Sequence, residues 1–193
     1  LKYWALSEKQ DFHVIPTDTI SISIDKDAVL RSGIMLPDSI RHLKGEDLKN
    51  AIPDKIYISL KDMRILTKVD MLMLEMLANC NWERPLYMAI SVGEVSKLKF
   101  DHYFVQEGLA FRFTPFDYKK WGNVKGDNNY AIDVERLYEN VMNRYKYGGL
   151  DTPGLYLDET TLRTCYYHRR LFAQLAKELI RQGDNTRARK VLA

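Results

Sequence analysis

Cysteine is almost absent from this chain: Cys80 and Cys165 are the only two among 193 residues, too few for a disulfide framework. They fall on different predicted elements, so a single bridge is permitted and two buried free thiols are the favoured reading. The four histidines, His13, His42, His102 and His168, show no HxxxH or HExxH spacing and none adjoins a cysteine, so no metal site is expected. Long apolar runs are missing too: none approaches the roughly 18 residues needed to cross a bilayer, and the charges within residues 1–10 leave no apolar centre for a signal peptide. Nor is there an excess of one charge. With 29 basic and 26 acidic residues the formal charge is +3, which lacks the electrostatic footprint of a nucleic-acid binder. The absence of GxSxG, phosphate-loop and GxGxxG patterns removes the common hydrolase and nucleotide signatures, and no cofactor is expected.

What is present is organised around residues 55–91. Lys55-Ile-Tyr-Ile-Ser-Leu60 and Leu86-Tyr-Met-Ala-Ile-Ser-Val92 read as strands, the second apolar on both faces as a strand between two layers would be. Between them Thr67 and Asp70 form a capping-box pattern ahead of Val69, Met71, Leu72, Met73, Leu74, Met76, Leu77 and Ala78, which predicts a mostly buried helix over about 68–79. The right-handed crossover rule then predicts a β-α-β unit with parallel or near-neighbouring strands in one sheet. Thr19-Ile-Ser-Ile-Ser-Ile24 alternates as a half-buried strand, with Asp25 and Asp27 read as a turn acid and a helix cap rather than a cation site. Residues 37–51 suggest two short helical turns, residues 98–105 a short helix, and Leu109–Thr114 another alternating strand.

Glycine, lysine and turn formers fill residues 117–129, and beyond them the pattern is wholly helical. Asp133 is a good N-cap for a helix carrying Val134, Leu137, Tyr138, Val141, Met142 and Tyr145, which Gly148-Gly149 would stop. Leu162 to Ile180 marks a longer helix, Gly183-Asp184 a turn, and residues 185–193 a third helix. The expected architecture is therefore a mixed α/β domain over 1–125 followed by a helical segment over 126–193. In that third helix Ala188, Val191 and Leu192 face one way with nothing after them to cover them, an interaction surface through which the chain would self-associate.

The candidate ligand-binding residues are Trp82, Glu83 and Arg84, with Glu107 and Arg112 as a second polar pair near the last strand. An indole face beside a carboxylate and a guanidinium is what a sugar-binding surface uses. The alternative is structural, with Trp82 covering the C-terminal end of the central helix and Glu107 and Arg112 making an ordinary ion pair. No carboxylate pair argues for glycoside hydrolysis, and no residue is assigned a catalytic role.

Residues 175–192, with Ala176, Gly183 and Ala188, resemble a tetratricopeptide-type turn. Four longer strings carry a broader resemblance: Asp25-Lys-Asp-Ala-Val-Leu-Arg-Ser-Gly33; Asn81-Trp-Glu-Arg-Pro-Leu-Tyr87; Asp101-His-Tyr-Phe104 with Gln106-Glu-Gly-Leu-Ala-Phe-Arg112; and Pro153-Gly-Leu-Tyr-Leu-Asp-Glu159. In this order they are similar to the soluble C-terminal region of Bacteroidetes multi-pass membrane proteins related to protein O-mannosyltransferases. That resemblance implies a domain at the periplasmic face of the inner membrane, whose partner is the membrane half of the same polypeptide and which is followed by tetratricopeptide-like helices. It implies a non-catalytic accessory or interaction role beside a glycosyltransferase that uses a lipid-linked donor. The alternative it leaves open is a sugar- or acceptor-binding domain, for a protein or glycan acceptor, that contributes residues to the catalytic site. A chain opening on Leu1 reads as a piece of such a larger protein.

Overall fold

A computed structural model of the chain describes residues 17–61, 63, 65–92, 98, 100–122, 130–150 and 152–193. The lead-in over 1–16 and the boundary expected at 125/126 lie outside the described residues. The strand β1 (Thr19–Ser23) pairs antiparallel with β2 (Lys55–Ser59), Thr19 opposite Ser59 and Ser23 opposite Lys55. The period-two alternation has its expected effect: Ile22, Ile56 and Ile58 are buried while Ser21, Ser23 and Tyr57 face outward. Asp25 accepts the Ala28 N–H at 3.0 Å and so caps α1 (Lys26–Arg31). Asp27 pairs with Lys49 of α2 (Gly45–Ala51) at 2.7 Å. The two acids are thus a cap and an ion-pair partner.

The central helix α3 (Lys68–Asn79) starts on the predicted capping box. Thr67 Oγ1 accepts the Asp70 N–H, and the Asp70 carboxylate accepts the Thr67 N–H at 2.8 Å. It is less buried than its composition suggests. Asp70, Leu74 and Leu77 are buried, but Leu72 is 61% and Met76 50% exposed. One face of a helix packed against β1 meets the core, and the apolar residues opposite it, Leu72 and Met76, lie on the exposed face.

The predicted β-α-β unit is corrected as well. β3 (Tyr87–Ala89) does not share a sheet with β2; it is an edge strand of a four-stranded sheet with β4 (Phe104–Gln106), β5 (Ala110–Phe113) and β6 (Ala131–Ile132), in the order β3-β5-β4-β6. Phe113 N–H donates to Leu86 O and Ile90 N–H to Leu109 O, each at 2.9 Å, so β3 runs antiparallel to β5. The crossover rule constrains only strands within one sheet, and here the hydrogen bonds of β2 and β3 are taken by different partners. Tyr87 is half exposed, as suits an edge rather than a strand between layers. Residues 101–103 form a single 3₁₀ turn leading into β4, so the helix expected there is a turn and a strand.

The chain packs as two compact units that interleave in sequence. The first holds the described chain up to Tyr87, Val92–Val105 and Arg112–Ala131; the second holds Met88–Ser91, Gln106–Phe111 and Ile132–Ala193. The mixed α/β class with a helical C-terminal segment is as expected. The first unit has an aromatic core, where Phe113 lies 5.6 Å from Trp82, 5.4 Å from Phe104 and 6.1 Å from Tyr103 between ring centroids.

The second unit is aliphatic and helical. Asp133 caps α4 (Val134–Glu139), which passes into a π-helical turn at Asn140–Arg144. Asp158 accepts the Thr160 and Thr161 N–H groups to start α5 (Glu159–Arg181), and Gly183, at φ +82°, turns the chain into α6 (Asn185–Leu192). Val134, Leu137, Val141, Leu171, Leu175, Ala176, Leu179, Ala188 and Val191 form its core. The turn between β4 and β5 is held from the π turn and the residue after it: Asn140 Nδ2 donates to Glu107 O at 2.7 Å, and Tyr145 Oη accepts the Leu109 N–H at 2.9 Å. A Cβ on Gly108 would lie 2.1 Å from Tyr145 Oη, so this close approach requires glycine.

Candidate functional site

The local conformation after α3 decides what Trp82 can do. Cys80 closes the helix, and Asn81 and Trp82 follow with φ of +49° and +61°, two successive left-handed residues without a glycine. This turn swings the indole inward, where it stacks on Phe113 at an interplanar angle of 17° and donates its Nε1–H to Ser23 O at 3.0 Å. Burying an indole removes about 150–250 Å² from water, worth roughly 4–6 kcal/mol. The two left-handed residues cost roughly 1–3 kcal/mol each, so the burial is of the size needed to offset the strain of the turn. Trp82 is 4% exposed, so its ring is core rather than a platform for a sugar.

Its neighbours diverge from it. Glu83 and Arg84 are exposed. Arg112, 3% exposed, donates Nη2–H to Ser32 O at 2.8 Å. Within the first unit, Arg84, Arg112, Cys80 and Trp82 line an open hollow walled by Ile34, Pro85, Leu86 and Phe113, with a cavity volume of about 10 Å³, room for roughly one water. That is far below the usual roughly 300–1,000 Å³ of small-molecule sites, so the hollow holds no sugar, and its guanidinium groups can meet only the edge of a small anionic or hydroxyl-bearing group. The structure therefore brings Trp82, Arg84 and Arg112 to one place. Glu107 is in the second unit, where it accepts from Arg136 at 3.0 Å beside Asp133.

Of the three residues expected to form an uncovered C-terminal face, Ala188 and Val191 are buried, 3% and 7% exposed, against the second unit's core. Only Leu192 faces outward, at 67%. The helix turns its small and β-branched residues into its own hairpin, so that expectation is corrected to one residue. Cys80 and Cys165 are both free and half-buried.

One pairing had no signal in the sequence. His102 Nε2 lies 3.5 Å from Asp117 Oδ2, fifteen residues away, with Asp117 nearly buried. Burial holds the imidazole pKa below its usual value, outweighing the opposing pull of the Asp117 charge. Asp117 also accepts the Lys120 N–H at 3.1 Å, so the pair fastens a turn. Among the described residues no group of three or more His, Cys, Asp or Glu side chains converges to hold a metal, and no helix is long and apolar enough to cross a membrane.

No curated protein and no solved structure matches the chain. The family model described as TMEM260-associated domain 2 matches residues 2–135, which contain the two-stranded sheet, α3, the Trp82 turn and the four-stranded sheet. By that match the chain belongs to the TMEM260-associated domain 2 family, which is linked to TMEM260, a protein O-mannosyltransferase-like membrane protein.

Proposed function

We propose that the chain is a non-catalytic extracytoplasmic accessory domain of a membrane-bound, O-mannosyltransferase-like glycosyltransferase, set at the periplasmic face of the inner membrane. In this reading the membrane half of the same polypeptide carries the transfer from a lipid-linked donor. The domain's role is to hold that half and its acceptor together, and the α5–α6 hairpin begins a tetratricopeptide-like array. The observation that carries it is the fate of the best candidate ligand residue: the Trp82 indole is spent on the core, with its face on Phe113 and its N–H on Ser23 O. Support comes also from the family match over residues 2–135.

A second reading is favoured by the hollow beside Trp82. Arg84 and Arg112 line it together, and a domain that offered them to a sugar phosphate or acceptor carboxylate would contribute directly to the transferase site. The experiment that separates the two uses the full membrane-bound enzyme. Deleting the domain is expected to abolish mannosyl transfer to a protein acceptor, whereas Glu83→Gln with Arg84→Ala is expected to leave kcat within a few fold. A hundredfold or greater loss of kcat in that double variant, with the domain still folded, would move the assignment to the second reading.

A further inference from the structure

The outer face of α5 carries a feature that the accessory role does not use. Leu162 is 44%, Tyr166 63% and Ile180 55% exposed, and Ala173 is exposed as well. Steps of four, seven and seven residues place these four within a narrow stripe on one side of a helix. Arg169 lies along one margin of the stripe, and Arg163, Arg170, Lys177 and Arg181 lie along the other, all exposed. The stripe runs opposite the face that buries Leu171, Leu175 and Leu179. Just before the helix, Leu155 is 46% and Tyr156 88% exposed.

The charge balance is uneven in the same place. Residues 159–193 hold eight basic and three acidic residues, net +5, while residues 1–158 hold 21 basic and 23 acidic, net −2. The chain's positive charge is therefore concentrated on the hairpin that displays the stripe. The helix is about 35 Å long.

We propose that the outer face of α5 lies on an anionic lipid surface, with Tyr166, Leu162 and Ile180 entering the headgroup region and Arg169, Arg170 and Lys177 pairing with lipid phosphates, while Arg163 and Arg181 hold Glu159 and Glu178 of the same helix. Exposed apolar side chains alone would fit any hydrophobic partner. Their flanking by arginine and lysine along most of the helix, with an exposed tyrosine among them, is the pattern of a helix in the interfacial plane. Basic residues near an anionic surface each contribute about a fivefold gain in affinity. An acidic helix of another protein, or a second copy of this chain, would use the same face differently.

The test is flotation of the 193-residue chain with vesicles of phosphatidylcholine, or of phosphatidylcholine mixed with phosphatidylglycerol. Binding is expected only to the anionic vesicles and is expected to fall steeply with added salt. The triple variant Arg169→Gln, Arg170→Gln, Lys177→Gln should bind about a hundredfold more weakly. Tyr166→Ser with Ile180→Ser should lose binding that lowering the salt does not restore, with the circular dichroism of both variants unchanged because every altered side chain is exposed. Equal binding to neutral vesicles, no binding to either kind, or self-association through this face without vesicle binding would each overturn the proposal.

Discussion

The two compact units are stabilised in different ways. The first depends on long-range contacts: the Trp82 indole reaches Ser23 across 59 residues, the Arg112 guanidinium reaches Ser32 across 80, and the Tyr118 hydroxyl reaches Met35 across 83. In the second unit much of the order is local. Asp133, Asp158 and Asp184 each cap the helix that follows them, and leucines at three- and four-residue spacing build the core. Long-range contacts must overcome loop closure before they return any stabilisation, whereas helical ones form with short separations. The family match covers the first unit's described residues almost entirely, and in the second it stops at residue 135.

Trp82→Ala should produce the largest effect. Removing the indole is expected to cost about 3–5 kcal/mol, since it leaves a cavity against Phe113 and an unpaired Ser23 carbonyl. If the contrast between the units holds, denaturant unfolding of this variant will show the first unit's aromatic near-ultraviolet signal lost at lower denaturant than the helical far-ultraviolet signal. Coincident loss of both signals would show that the local contacts of the second unit do not sustain it.

The next test is within α3. Leu74→Asp puts a carboxylate at a position 6% exposed and should destabilise by about 3 kcal/mol. Leu72→Asp, at a position 61% exposed, should fall within about 0.5 kcal/mol of the parent chain. Equal shifts in the denaturation midpoint would mean that the outward face of α3 is covered in solution.

The same contrast explains what was legible in the sequence. Helix starts and turns that depend on side chains a few residues away could be read at Thr67 with Asp70, at Asp133 with Arg136, and at the α5–α6 turn of Gly183-Asp184. The Asp158 cap that starts α5 at Glu159, three residues before the expected Leu162, was missed. The alternation of β1 was legible for the same reason, since period two needs no partner to be seen. Sheet membership was not. Whether β3 pairs with β2 or β5 depends on which strand meets it in space, and the apolar run Tyr87–Ile90 carries no mark of an edge. Composition also misled for α3, because Leu72 and Met76 are as apolar as Leu74 and Leu77 but lie on the helix's exposed face.

For the site, the sequence grouped Trp82 with Glu83 and Arg84 and set Arg112 apart with Glu107, whereas it is Arg84 and Arg112 that line one hollow beside Trp82. The direction of the indole was hidden. It is set by two left-handed residues, Asn81 and Trp82, that sequence patterns do not reveal. His102 and Asp117 were hidden as well, since only the path of the chain between them brings the two together.

The most direct test of the account is the Trp82 indole itself. In nuclear magnetic resonance spectra of the chain, the Trp82 Nε1–H, bonded to Ser23 O, should exchange slowly with solvent. Its resonance should not move during titration with mannose-containing oligosaccharides. A saturable shift of that resonance, or fast exchange of that proton, would contradict the account and restore Trp82 as a sugar-binding surface.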